Sequence, residues 1–259
     1  MRACPCPASA RHATFATTLT TVCVAVCVLG GCNGPAGEFY VVHNQVPSAG
    51  CVVPADKSAA YLGEGVLDVR VPSRAGDAAY ILFPLLQNDL PADGTDGVEP
   101  NRIALDRFEI DLSLADGPGA VADLFATLEG DTATAALLHY QAAWSGSVDP
   151  GGGNTAAATN AFPAATAQRL AEANALPDGA EAHVVAKVRA HGQRVGGGIT
   201  SDAFSYPIRI CDGCLIHQVT ACPTSGAVLQ GGVCNPGQDT AVDCCMQGTQ
   251  LICPATTGP

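Results

Sequence analysis

Short runs of alternating apolar and polar residues recur between residues 38 and 210, broken by glycine, proline and aspartate. That spacing predicts an all-β sandwich. Phe39 to His43 reads as a first strand. In Val66 to Val71, Leu67, Val69 and Val71 share one face, and Asp68 and Arg70 take the other. Ala78 to Leu86 is almost wholly apolar, with Tyr80, Ile81, Leu82 and Phe83 in succession, which predicts one strand buried on both faces.

Ile103 to Leu114 is the most strongly patterned stretch, and it changes phase. Ile103 and Leu105 keep one phase, whereas Phe108, Ile110, Leu112 and Leu114 keep the other. A slip of one residue turns a whole strand inside out, so a bulge is expected near Asp106 or Arg107. Arg107, Glu109, Asp111 and Ser113 then face water. Leu138, Tyr140, Ala142 and Trp144 alternate with His139, Gln141 and Ala143. Val184, Ala186, Val188 and Ala190 alternate in the same way, and the Gly196-Gly197-Gly198 run permits a return to Phe204, Tyr206, Ile208 and Ile210. Pro163 followed by Ala164 to Ala173 predicts a helix, since proline suits a first turn. Val121 to Leu128 is a second helical stretch, and glycine-rich Pro150 to Thr159 is expected to be a flexible loop.

The N-terminus has a different plan. Arg2 and Arg11 precede an uncharged run, Ala13 to Leu29, that carries Val22, Val24, Val26 and Val28. Gly30, Gly31 and Cys32 follow. Basic residues, an apolar run and small residues in that order describe a secretory signal. The run is shorter than the span of about 20 residues that a membrane helix needs, and it is studded with threonine. Its Leu-Gly-Gly-Cys ending resembles a bacterial lipobox. The resemblance implies cleavage after residue 31, acyl chains (palmitate among them) on Cys32, and a tether over 32–37. Several acyl chains make a stable anchor where one does not. Asn33 at the next position implies, by the same resemblance, delivery to the outer membrane of a Gram-negative bacterium.

Charge narrows the class of partner. The whole chain has 12 basic and 24 acidic residues, and loss of residues 1–31 removes two arginines and no acid, giving a net charge of −14. Such a surface repels nucleic acid and anionic lipid headgroups, so no nucleic-acid partner is expected.

After residue 210 the composition shifts to Cys, Gly and Pro with little charge. A segment this poor in apolar surface depends on covalent staples. The run Tyr206-Pro207-Ile208-Arg209-Ile210-Cys211-Asp212-Gly213-Cys214-Leu215 resembles the strand-to-cysteine junction of envelope lipoproteins that carry no assigned activity. Eight cysteines remain once the signal and Cys32 are set aside: Cys51, Cys211, Cys214, Cys222, Cys234, Cys244, Cys245 and Cys253. In an exported protein an even set reads as disulfides, although sequence does not choose among the 105 connectivities. Seven of the eight lie in the tail, so full pairing requires Cys51 to bridge to it.

Other residues carry motifs with chemistry of their own. Cys211-Asp212-Gly213-Cys214 matches a zinc or redox C-x-x-C unit, yet no second pair stands at zinc spacing and His217 is isolated. Asp93, Asp96 and Glu99 form an acidic glycine-bearing turn that calcium favours, but the ligand spacing is not that of an EF-hand. Ser145 and Ser147 flank Gly146 without the strand-turn-helix setting of a nucleophile elbow. His139 and His191 read as solvent-facing strand residues. Tyr140 and Trp144 read as core aromatics before a sugar platform.

The fold expected is mainly β, an immunoglobulin-like or related sandwich over 38–210 with a disulfide-rich extension over 211–259. The function expected is a lipid-anchored cell-envelope protein with a non-enzymatic binding or structural role. Its partners would be the membrane, through lipid, and an envelope protein or glycan; no cofactor is expected. The alternative is a calcium-assisted carbohydrate-binding or hydrolytic protein using Asp93, Asp96 and Glu99.

Overall fold

The computed structural model describes residues 38–48, 50–71, 78–93, 99–219, 222, 231, 234–248 and 250–253. The signal segment, the tether with Cys32, and Asp96 lie outside the described residues. In chain order the first strands are β1 (Phe39–Gln45), β2 (Tyr61–Leu62), β3 (Gly65–Asp68), β4 (Tyr80–Leu82), β5 (Pro84–Asn88) and β6 (Ile103–Asp116). Helix α1 (Gly119–Gly130) leads through a short 3-10 turn to β7 (His139–Val148), β8 (Gly153–Ala156) and β9 (Thr159–Phe162). Helix α2 (Ala164–Glu172) is followed by β10 (Glu181–Arg194), β11 (Gly197–Thr200) and β12 (Phe204–Cys211). The tail contributes β13 (Ile216–Val219), β14 (Val242–Gln247) and β15 (Gln250–Ile252).

The protein is mainly β. One sheet runs β2-β1-β5-β8, and a larger one runs β3-β12-β10-β6-β7 with β11 paired to β10. All pairs in these sheets are antiparallel except β3 with β12. The two sheets share one core, in which Phe39, Val41 and Leu86 meet Phe108, Ile110, Val188 and Ile208. Along β10, Ala182, Val184, Ala186, Val188 and Ala190 are buried, and Glu181 and Lys187 are exposed. Helix α1 buries Val121, Phe125 and Leu128, one face at helical spacing, into that same core.

The phase change in β6 is a bulge. Its register with β7 shifts between Leu105 and Arg107, so Ile103 and Leu105 stay buried along with Phe108, Ile110 and Leu112. The register with β10 shifts beside it, between His191 and Gly192. Gly192 is required there, because a Cβ would stand 2.6 Å from the carbonyl oxygen of Ala104.

Two local expectations are corrected. Ala78 to Leu86 is two strands: β4 pairs β9, and β5 pairs β1 and β8. The break at Phe83 precedes Pro84, which lacks an N–H and restricts the residue before it. Phe83 instead donates its N–H to Asn44 Oδ1 at 2.8 Å and accepts from the Gln45 N–H at 2.9 Å. Pro150 to Thr159 is not a loop throughout, because β8 adds to the sheet edge beside β5. Gly151 and Gly152, at φ +73° and +86°, make the turn into it, a conformation that glycine adopts at no steric cost. Asp68, on the polar face opposite Leu67 and Val69, is fully buried, because the tail closes over β3.

Candidate functional site

The chemistry-bearing groups gather where the tail meets β3 and β4. Four disulfides shape this region: Cys51–Cys234, Cys211–Cys214, Cys222–Cys245 and Cys244–Cys253. The requirement that Cys51 bridge to the tail is therefore met at Cys234. Just past that bond, residues 235–239 run along the free edge of β3. The Asp68 N–H donates to the Gly237 carbonyl at 2.8 Å, and the Asp239 N–H donates to the Val66 carbonyl at 2.9 Å.

Side chains extend this pairing to β4. Gln238 accepts from the Ile81 N–H at 2.8 Å and donates from Nε2 to the Ile81 carbonyl at 2.7 Å. Its amide thus does what a neighbouring strand would do. Asn235 Nδ2 donates to the Ala79 carbonyl at 2.7 Å. Both side chains are buried, and their polar atoms are matched to backbone groups that would otherwise be orphaned.

Beneath them lies a polar cluster. Asp239 Oδ2 accepts from the Tyr80 hydroxyl at 3.0 Å, and Oδ1 accepts from the Val66 N–H at 2.7 Å. The Tyr80 and Tyr206 hydroxyls are 3.1 Å apart, and Asn44 Nδ2 donates to Tyr206 at 2.8 Å. Burial holds the Asp239 carboxyl above the usual carboxylate range, against the pull of its donors. Burial also pushes the Tyr206 hydroxyl up to about 12 and raises Tyr80 further. Gly65 makes room for this cluster, since a Cβ there would stand 2.3 Å from Cζ of Tyr80.

A half-open cleft of about 140 Å³ lies above the cluster. Val46, Pro47, Leu62 and Phe83 give it an apolar wall, and Asn235, Gln238 and Asp239 form its polar side. Cys234 is part of the lining, so the Cys51–Cys234 bond fixes the cleft's shape.

On the other flank of β3, Asp68 organises the Cys211–Cys214 turn. Its Oδ1 accepts from the N–H groups of Gly213 at 2.7 Å and Arg70 at 3.0 Å, and its Oδ2 accepts from Leu215 at 2.8 Å. Asp68 and the two sulfurs form the one cluster of three ligand-type groups among the described residues, all within 4.8 Å. With the sulfurs bonded to each other, neither is a thiolate available to a metal.

The remaining candidates are dispersed. Asp93 is exposed, and Glu99 Oε1 accepts from the Asn101 N–H at 3.0 Å, closing its own turn. His217 is exposed and faces Asp243 at 3.0 Å. Tyr140 and Trp144 pack against the core, Trp144 edge-on to Phe108 with ring centres 6.1 Å apart. The Tyr140 hydroxyl donates to the Asn160 carbonyl at 2.6 Å. His139 lies between Asp111 on β6 and Glu129 on α1, 2.9 Å from each. Those hydrogen bonds hold the imidazole above its ordinary pKa. His191 sits among Thr200 at 3.1 Å, Glu109 at 3.2 Å and Arg107 at 3.5 Å.

Sequence reasoning missed Asn44, Tyr80, Asn235, Gln238 and Asp239. The signal available to it was the polar run Asn235 to Thr240 directly after a cysteine, in a tail otherwise poor in charge. Comparison with protein-family models, curated proteins and solved structures finds no match to this chain.

Proposed function

We propose that this chain is a lipid-anchored cell-envelope protein with a non-enzymatic binding role, held by acyl chains on Cys32 and facing an oxidising compartment. The observation that supports this best is the Cys51–Cys234 bond. It joins the start of the domain to its end, and such bonds persist in periplasmic and surface proteins but rarely in reducing cytosol. The cleft beside the bond supports a binding role. Its wall of Val46, Leu62 and Phe83 suits an aliphatic group, and the Ser48 and Thr240 side chains add polar contacts to the lining. The N-terminal order of arginines, apolar run, Gly30, Gly31 and Cys32 supplies the anchor.

The test is metabolic acyl labelling in the native host, together with thiol trapping before lysis. The wild type should carry the acyl label in the membrane fraction, with Cys51 and Cys234 oxidised. Cys32→Ser should carry no label and leave that fraction. Persistent labelling of Cys32→Ser, or free thiols at Cys51 and Cys234 in intact cells, would overturn the reading.

A further inference from the structure

We propose that the Cys211–Cys214 disulfide is a thiol-exchangeable redox pair, with Cys214 the sulfur that an incoming thiolate attacks. It differs from its neighbours first in topology. Its cysteines are 3 residues apart, against 9, 23 and 183 for the other bonds. Cross-linking the shortest loop restricts the unfolded chain least, so this bond has the least structural work to do.

The turn is also held without it. Asp68 gathers the N–H groups of Arg70, Gly213 and Leu215 into one carboxylate, and the Val69 N–H donates to the Cys211 carbonyl at 2.9 Å. Cys211 is the last residue of β12, in register with Glu181 on one side and Asp68 on the other. Arg70 ties the turn further through ion pairs to Asp212 and Asp178. None of these contacts involves the sulfur–sulfur bond.

The two sulfurs are unequal. Cys214 is exposed, and Cys211 is 1% exposed with its Sγ 3.6 Å from the Leu67 carbonyl oxygen. An attacking thiolate therefore reaches Cys214, and the displaced Cys211 sulfur has an acceptor waiting for its S–H. Gly213, at φ +83°, lets the Arg70 guanidinium lie over the turn, because a Cβ there would stand 3.0 Å from Nη1.

The reductant is an aliphatic thiol, with glutathione as the probe. One glutathione thiolate bonds to Cys214 Sγ, the Cys211–Cys214 bond breaks, and its electron pair leaves on Cys211 Sγ. That sulfur takes up the proton lost by the thiol. A second glutathione thiolate attacks the glutathione sulfur of the mixed disulfide and releases Cys214, which is protonated in turn. Two thiols are oxidised to one disulfide while the protein gains two electrons and two protons. The reverse sequence restores the bond.

The experiment equilibrates the folded protein over a series of reduced-to-oxidised glutathione ratios, followed by alkylation and peptide mapping. Cys211 and Cys214 should be half-reduced at a ratio at least about tenfold lower than any other pair, with the β circular-dichroism signal unchanged. Reduction together with, or after, Cys51–Cys234 would overturn the proposal. In the Cys211→Ser variant glutathione should accumulate as an adduct on Cys214, whereas in Cys214→Ser the buried Cys211 should carry almost none. Equal or reversed labelling would also overturn it. If either serine variant fails to fold, the wild-type series decides alone.

Discussion

The Tyr80 hydroxyl donates a hydrogen bond to Asp239 Oδ2 at 3.0 Å, across 159 residues of chain. Tyr80 is fully buried in the sandwich, and Asp239 belongs to the cysteine-rich tail. The contact therefore makes the tail part of the domain's core. Because Asp239 is raised by burial, the folded protein binds its proton more tightly than the unfolded chain does. Its ionised form opposes folding above the folded pKa, and this cost fades as pH falls through that pKa towards the ordinary 3.8. Tyr80→Phe removes a donor from the ionised form. It should cost about 1–3 kcal/mol at neutral pH, and the difference from wild type should shrink on acidification. Denaturant melts of both proteins across pH measure this; a difference independent of pH would contradict it.

Gly65→Ala tests the packing around the same tyrosine. The new methyl would fall inside the Tyr80 ring, so a loss of about 1–3 kcal/mol is expected. Gly63→Ala is the control, since nothing lies within 4 Å of its Cβ. Equal melts for the two variants would show that the Tyr80 ring is placed elsewhere.

Ile110 sits at the centre of β6, fully buried, while Ser113 on the same strand is exposed. Ile110→Ala should destabilise by about 2–5 kcal/mol. Ser113→Ala should stay within about 0.5 kcal/mol. Comparable losses at both positions would mean that the strand lies in the opposite phase.

Much of this architecture was legible in the sequence because burial of one face writes itself as alternation. The β6 and β10 patterns, and the bulge between Leu105 and Arg107, are of that kind. Strand β8 was illegible because Gly153, Asn154, Thr155 and Ala156 join the sheet at its edge by backbone pairing, and none of them is fully buried. Asp68 and Gln238 stayed silent for another reason. Each is polar and buried because a segment some 150 residues away covers it, and a local pattern carries no record of such a partner. The necessity of a Cys51 bridge followed from counting, whereas the choice of Cys234 depended on where the tail crosses β3.

His139 ties α1 to β6 through Glu129 and Asp111, with Arg189 also facing Asp111 at 3.5 Å. Its pKa is raised on folding by those two carboxylates. The stabilisation is therefore complete below the ordinary 6.5 and is lost as pH rises through the folded value. Its side chain is 42% exposed, so the effect is modest. The Tm advantage of wild type over His139→Gln should be larger at about pH 6 than at about pH 8. An advantage that grows with pH would contradict the assignment.

A covalent frame joins the tail to the start of the domain, and non-reducing peptide mapping of the mature protein tests it. A Cys51–Cys234 bond, with a sequence separation of 183, contributes at most about 5 kcal/mol by chain entropy. Proteolysis under non-reducing conditions should release one linked pair containing Cys51 and Cys234, and the Cys51→Ser/Cys234→Ser protein should melt at lower denaturant. A free thiol at Cys51, or Cys51 joined to any other tail cysteine, would contradict the account.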